Sequence, residues 1–465
     1  MNGTDTLFWR LSGSALTRPH VTWAWLLTST PDWESFVRAC EGAVGRLPRL
    51  THRVADSPMR TGPPSWTADP DFRLSRHVHR VRLPAPGGLR ELLDMVEWRI
   101  SAVFDPLHPP WEITLVEDYE TDRAAVVLKW HHSLADAVTI VAAVRRLMEN
   151  PPPAVWPNAA PPAPGPGRPT EMSHRDCSGI PRVTGALAEA ARTAVRSSAR
   201  VLSGSGPARD GARSAGRTVS HLLPWASPSP LLAKRSSAID CGMMTVSLPE
   251  LKAAGKSAGV SVTSAYVSAV LGAFHRYHAH HGLVRATVPV LVPVSFREAH
   301  ETGAGNLIAG VLIAGPIGDM SARSRMVSVH TAVAEARGSV ARGVCTVMAD
   351  LGALVPEPLY RHLAPALLRR IDVVVTSVPG LPGNAQVAGS RVVNAVPWAP
   401  RGGAAANISM ASHGDSCGIG TNLDPAAITD ARLFHRFLED SFEETLGCAR
   451  PPAGPPRSAR TGADG

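Results

Sequence analysis

Residues 124–150 constrain the chain more than any other stretch. Residues 124–130 form a short run of β-branched and apolar residues, which suits a buried strand. Val138, Val141, Val144 and Leu147 follow at the spacing of one helical face. Between these two periodicities stand His131, His132 and Asp136. A strand-to-helix turn is a place where a rigid scaffold presents a base to a substrate. His132 exchanges a proton near neutral pH with little tuning. Asp136 can hold an imidazole or reach an arginine. Plainer readings exist: Asp136 as a helix N-cap, and paired histidines as ordinary core or surface residues.

Other short elements accompany this turn in a fixed order. Leu7-Phe8-Trp9-Arg10 and Arg46-Leu47-Pro48-Arg49-Leu50 come first, then Pro106-Leu107 and Pro110-Trp111-Glu112. After His-His-x-x-x-Asp come Pro293-Val294-Ser295-Phe296-Arg297, Gly305-Asn306 and Ser377-Val378-Pro379-Gly380. The histidine motif resembles that of the CoA-dependent acyltransferase superfamily, which includes condensation domains. The flanking elements, running in order from about residue 6 to 448, resemble the bacterial wax ester synthase/diacylglycerol acyltransferase family.

The resemblance implies an α/β fold of two mixed-sheet halves packed as a pseudo-dimer, with the catalytic histidine in a tunnel between them. The residues agree in outline. A chain of 465 residues is too long for one ordinary core, and its 44% hydrophobic content is that of a globular protein. Residues 1–150 mix strands and helices, residues 151–237 are rich in Pro, Ala and Arg, residues 238–448 are mixed again, and 449–465 read as a disordered tail. The Pro-rich part of 151–237 reads as a stiff tether.

In the first half, Thr30-Pro31-Asp32 reads as a helix start with Thr30 as cap, and Trp33, Phe36, Val37, Cys40 and Val44 as the inward face. Residues 76–83 and 113–116 read as strands, and 88–103 as an amphipathic helix with Leu92, Leu93, Val96 and Ile100 inward. In the second half, helices are expected at 248–258, 261–277, 330–337 (ended by Gly338), 356–368 and 430–446. Strands are expected at 286–294, 306–314, 371–377, 392–396, 405–410 and 416–421.

Charge and composition exclude some functions. The net charge of +8 permits acidic partners, but the Lys and Arg residues are scattered without the aromatic interleaving of a single-strand binder, so nucleic acid is not expected. Cysteines 40, 177, 241, 345, 417 and 448 include no Cys-x-x-Cys pair, which argues against zinc and against a disulfide framework and fits a reducing cytosol. His278, His280 and His281 lack acidic or Cys neighbours in sequence, so a dipole-complementing role outweighs a metal site. The start of the chain lacks a basic region followed by an apolar core, and no run of about 18 apolar residues occurs, so membrane contact is expected to be peripheral.

Gly-x-Ser-x-Gly occurs at residues 255–259 and 414–418, but Ser257 falls within an expected helix and Ser416 at the start of an expected strand rather than at a strand-to-helix turn, so neither reads as a nucleophile, which favours direct transfer over an acyl-enzyme. The resemblance makes His132 the general base, His131 structural or orienting, and Asp136 the partner of an arginine: Arg297, Arg49 or Arg53. Ser295, Arg297, Asn306, Ser377, Pro379 and Gly380 are the expected substrate-binding positions, Ser295 as an oxyanion donor or simply a strand-end hydroxyl. No cofactor or metal is implied; acyl-CoA is a substrate, with a lipid alcohol as acceptor, at a cytoplasmic site or at the inner-membrane or lipid-droplet surface. Oligomeric state is left open.

Three departures from the family pattern stand out. Ala137 replaces the Gly that ends the motif, Thr263-Ser264 replaces an Asn-Asp pair, and Ser377 replaces an Asn. They leave three functions in play: wax ester or triacylglycerol synthesis, the same chemistry on a specialised-metabolite alcohol or amine, and a catalytically weak lipid-binding protein.

Overall fold

The computed structural model describes residues 1–56, 63–135, 139–140, 226–295, 308–339, 355 and 357–449. Helix α1 (Gly3–Leu11) is capped by Asn2, whose side chain accepts the Asp5 N–H at 2.7 Å. Strand β1 (His20–Leu27) is buried along its whole length. Helix α2 (Trp33–Arg46) begins at Asp32, whose carboxylate accepts the Ser35 N–H at 2.9 Å. The cap is thus two residues later than the Thr30-Pro31 pair suggests, because a carboxylate adjoining the first turn takes an orphan N–H directly. Phe36 and Cys40 on its inward face are buried.

Short strands β2 (His52–Ala55) and β3 (Ser65–Ala68) pair with each other. Then come β4 (Val78–Arg82), α3 (Leu89–Ser101), β5 (Trp111–Glu117) and β6 (Ala124–His131). The second half contains β7 (Asp240–Ser247), α4 (Leu248–Ser257), α5 (Val262–His280), β8 (Thr287–Ser295), β9 (Ile308–Pro316), α6 (Ala322–Ser339) and α7 (Glu357–Leu368). It closes with β10 (Val373–Leu381), β11 (Gln386–Val387), β12 (Ser390–Trp398), β13 (Ala406–His413), β14 (Ser416–Leu423) and α8 (Ala431–Gly447).

Two mixed sheets organise these elements. The first runs β11-β12-β1-β6-β5-β4 and the second β7-β14-β13-β10-β8-β9. Strands β4 and β5 are parallel, as are β8, β10 and β13, while the other neighbours are antiparallel. Strand β12 comes from the second half yet pairs with β1 in the first sheet, Thr22 opposite Trp398 and Trp25 opposite Ala395. The sheets therefore interlock although the sequence segments are separate.

Strand β1 is buried on both faces. Ala24 and Leu26 pack with Leu92, Val96 and Ile100 of α3, whereas Trp23, Trp25 and Leu27 pack with Phe36 and Cys40 of α2 and with Leu381 and Ala411 of the second sheet. In the second half, α5 is apolar nearly all round, as a core helix must be, and Tyr266, Val270, Phe274 and Tyr277 are fully buried. Helix α6 begins well before residue 330 and contains Gly338. Ser321 accepts the Ser324 N–H at 3.2 Å at its start, and a Gly one residue from a helix end costs only about 1 kcal/mol. Among the described residues no single helix is long and apolar enough to cross a membrane.

Candidate active site

The end of β6 delivers both motif histidines. The His131 N–H donates to the Pro110 carbonyl at 2.9 Å and the His132 N–H to the Pro19 carbonyl at 2.8 Å, so the turn is tied to the segments before β5 and β1. The Trp130 indole N–H donates to the Ala135 carbonyl at 3.1 Å, closing the turn.

His131 is buried and spoken for at both nitrogens. The Ser133 N–H donates to Nδ1 at 3.1 Å, which makes Nδ1 an acceptor. The neutral ring therefore carries its proton on Nε2, 2.6 Å from Ser12 Oγ, and donates there. Burial, then the charges of His20, His132 and Lys129, holds His131 well below the usual histidine range. This ring is set as a neutral strut.

His132 turns the other way. Its ring stacks on Phe8 of α1, centroids 4.1 Å apart and planes 14° from parallel, and it lines a cavity of about 260 Å³ between the two sheets. The first sheet contributes Val21 and Trp23, and the second contributes Pro293, Gly310, Thr376 and Ser377, with Phe8 and Leu11 closing from α1. The walls are mainly carbon. Their polar groups are few and placed: Asn407 donates to the Pro400 carbonyl at 2.8 Å and accepts from Ser409 Oγ at 2.9 Å and Thr376 Oγ1 at 3.4 Å. A concave apolar site with a small convergent polar set is the usual form of a small-molecule site.

Basic groups lie behind the motif. Lys129 is buried, donates from Nζ to the Ala102 carbonyl at 2.7 Å and sits 4.1 Å from the Phe104 ring centroid. Burial pulls it down to about 8. His20, also buried, is held down to about 3, chiefly by burial and then by Lys129.

The expected substrate residues are distributed unevenly. Ser377 and Pro379 line the cavity with His132. Gly380 marks an irregularity of the β10–β13 register, where an added Cβ would run into the Ser412 carbonyl. Ser295 ends β8 opposite Ile308, two residues beyond the cavity-lining Pro293. Asp136, Arg297, Asn306 and Ala137 lie outside the described residues. Of the arginines weighed for Asp136, Arg49 lies 3.6 Å from Asp5 and over the Trp66 ring. Ser264 bonds Ser261 at 2.9 Å and His330 Nδ1 at 3.1 Å, so it serves the joint between α5 and α6. His278 bonds Ser229 Oγ and the Phe274 carbonyl at 2.8 and 2.7 Å, a structural duty.

Sequence reasoning assigned no role to Phe8, Ser12, Trp23 or Thr376. The Leu7-Phe8-Trp9-Arg10 element is noticeable in sequence, but nothing local says that its Phe meets a histidine from β6.

The geometry can be set beside known proteins. The family model described as the wax ester synthase/diacylglycerol acyltransferase catalytic domain matches residues 1–266, and that described as the WS/DGAT C-terminal domain matches residues 304–445. The chain belongs to this family. It is accordingly an acyltransferase. A Mycobacterium tuberculosis (strain H37Rv) protein, provisionally named a diacylglycerol O-acyltransferase, is 30% identical over 463 residues, covering 97% of this chain and 92% of the relative. A second from the same strain, similarly named, is 29% identical over 486 residues and covers 99% of each. In fold, the chain is similar to the wax ester synthase/diacylglycerol acyltransferase of Marinobacter aquaeolei VT8, with a TM-score of 0.61, 21% identity and 97% and 99% of the two chains covered. The first condensation domain of the CDA synthetase gives a TM-score of 0.60 at 13% identity, covering 97% and 96%.

Proposed function

We propose that this acyltransferase moves an acyl group from acyl-CoA directly to the hydroxyl of a lipid alcohol, making wax esters from fatty alcohols, triacylglycerol from diacylglycerol, or both. The observation that carries this reading is His132 on the wall of an apolar cavity shared by the two sheets, beside a His131 locked neutral. His132 takes the proton of the acceptor hydroxyl as its oxygen attacks the thioester carbonyl. The tetrahedral intermediate collapses with cleavage of the C–S bond, and the imidazolium returns the proton to the departing thiolate. The Phe8 face steadies the ring while it is charged. His131 orients the turn, Asp136 pairs with an arginine, and Ser295 and Ser377 offer hydroxyl donors toward the developing oxyanion. Arg297 and Asn306 are further substrate-binding positions in this reading. The protein works in the cytoplasm, touching the inner membrane or a lipid droplet at its surface, where its +8 charge suits anionic lipid.

A second reading keeps the chemistry and changes the acceptor. Thr376 and Ser377 place small hydroxyls on the cavity wall, which suits a polar specialised-metabolite alcohol or amine.

The test is thiol release from a panel of acyl-CoAs with fatty alcohols, diacylglycerol and amines, for wild type and His132→Ala. Acceptor-dependent release that falls about 10²- to 10⁴-fold in the variant is expected. Equal rates in both proteins would overturn the role of His132. Lipid binding without release at any chain length would favour a binding protein.

A further inference from the structure

We infer that Arg235 is a positioning residue for acyl transfer: from outside the reaction cavity it fixes two backbone segments, at Ile371 and at residues 400–403, that wall the space His132 lines. The inference rests on the reading that this cavity receives the substrates, and it adds a residue that no motif marks.

Pro400, Arg401 and Gly402, in the connection between β12 and β13, line the cavity together with Ile371, in the turn between α7 and β10. Gly402 and Gly403 have φ of 60° and 94°, the left-handed region that glycine adopts without a Cβ penalty. Gly402 therefore meets the cavity with backbone alone and has no side chain to wedge it in place. Arg235 does not line the cavity, and its side chain is buried. Its Nε donates to the Gly403 carbonyl at 2.8 Å, and its Nη2 donates to the Ile371 carbonyl at 3.3 Å and to the Asp372 carboxylate at 3.4 Å. One guanidinium thus spans both wall segments.

The residues around Arg235 hold it from both sides. The Ser229 N–H donates to Asp372 at 2.7 Å, and the Ser236 N–H donates to Asp424 at 2.7 Å. Arg401, from the wall itself, reaches back: its Nη1 lies 3.1 Å from the Asp424 carboxylate and its Nη2 donates to the Ser236 and Ala238 carbonyls at 3.2 and 2.8 Å. Both acids are fully buried. Burying two ion pairs costs desolvation that apolar side chains of like volume would avoid, which points to placement of the wall rather than to net stability. A planar guanidinium takes two carbonyls at once, which an ammonium does not.

The test compares full-length wild type, Arg235→Met, Arg235→Lys and Ser229→Ala by thiol release with hexadecanoyl-CoA and hexadecanol, and by calorimetric binding of each compound. Arg235→Met should lower kcat/KM about tenfold to a hundredfold. The loss should fall mainly in KM, and Kd for at least one compound should weaken in step, because the wall binds and does not react. Arg235→Lys keeps the buried charge but not the fork, so it should show a smaller change of the same sign, and it carries the test should Arg235→Met not fold. Ser229→Ala removes the bond from Ser229 Oγ to His278, 2.8 Å long, on the same stretch of chain. It should lower the urea midpoint and leave KM and Kd as in wild type. A purely structural Arg235 would reduce the active fraction, hence apparent kcat, with KM and Kd unchanged; that result, or an equal rise of KM in Ser229→Ala, would overturn the proposal. Absence of thiol release from wild type would count against the transfer reading alone, and the Kd values would still decide the role of Arg235.

Discussion

Phe8 lies flat on the His132 imidazole, 4.1 Å between centroids, so a helix at the start of the chain supports a residue delivered by the end of β6. The same helix is followed by Ser12, which accepts from His131. One short element thus sets both histidines, and it is braced in turn by Tyr360 of α7, whose hydroxyl donates to the Leu7 carbonyl at 3.3 Å. The stack predicts that Phe8→Leu slows turnover. A cation–π contact of about 1–2 kcal/mol with the charged ring corresponds to roughly fivefold to thirtyfold. Phe8→Tyr should recover most of the rate, and circular dichroism should be unchanged in both; a Phe8→Leu rate equal to wild type would reduce Phe8 to a space filler.

Ser12→Ala leaves the buried Nε2–H of His131 without its acceptor. The expected cost is about 1–3 kcal/mol of stability, read from urea unfolding, with turnover reduced because the neighbouring His132 loses its fixed frame. Ser12→Thr keeps the hydroxyl and should restore stability if it alone matters.

Acid should weaken the fold below about pH 6.5. Burial depresses both His131 and His20, the latter to about 3. Their folded forms resist protonation that the unfolded chain accepts, so stability falls as pH drops through the ordinary histidine range. Each contributes up to about 1.4 kcal/mol per pH unit. Asp372 acts in the opposite sense: burial pushes it up to about 6, so the folded state takes its proton first and gains stability as pH falls from about 6 towards 4. Two depressed histidines outweigh one raised carboxyl. Unfolding midpoints measured from pH 7 to 4.5 should decline, and His20→Gln should flatten the slope.

Gly380→Ala should destabilise strongly. The new Cβ would meet the Ser412 carbonyl, a backbone group that cannot swing aside. A loss of about 1–3 kcal/mol or more is expected, seen as a lowered melting temperature; an unchanged one would mean that β10 and β13 separate without cost.

Much of the fold is legible locally. Helices α3, α5 and α8 and strand β6 follow from apolar spacing, and the caps Ser247, Ser261 and Asp430 are short polar residues at helix starts. Helix α1 and strand β1 escape that reasoning. Helix α1 is short, and Asp5, Thr6 and Arg10 are among its buried residues, so it shows no plain apolar stripe. Strand β1 is covered on both faces, which erases the alternation that marks a half-exposed strand.

The amino-acid sequence by itself determined where a proton-transferring group could stand, because a strand, a turn and two histidines are consecutive. It also carried the family pattern and the two-part layout. Only the tertiary structure decided what His132 faces. Phe8 stacks on it from α1, while pairing of β1 with β6 and packing of the second sheet bring Trp23 and Ser377 to the cavity it lines. Strand β12 reaches back to pair with β1, and no local periodicity records such a partner: hydrogen-bonded register and cavity shape belong to pairs of distant segments, each of which reads as an ordinary strand when taken alone.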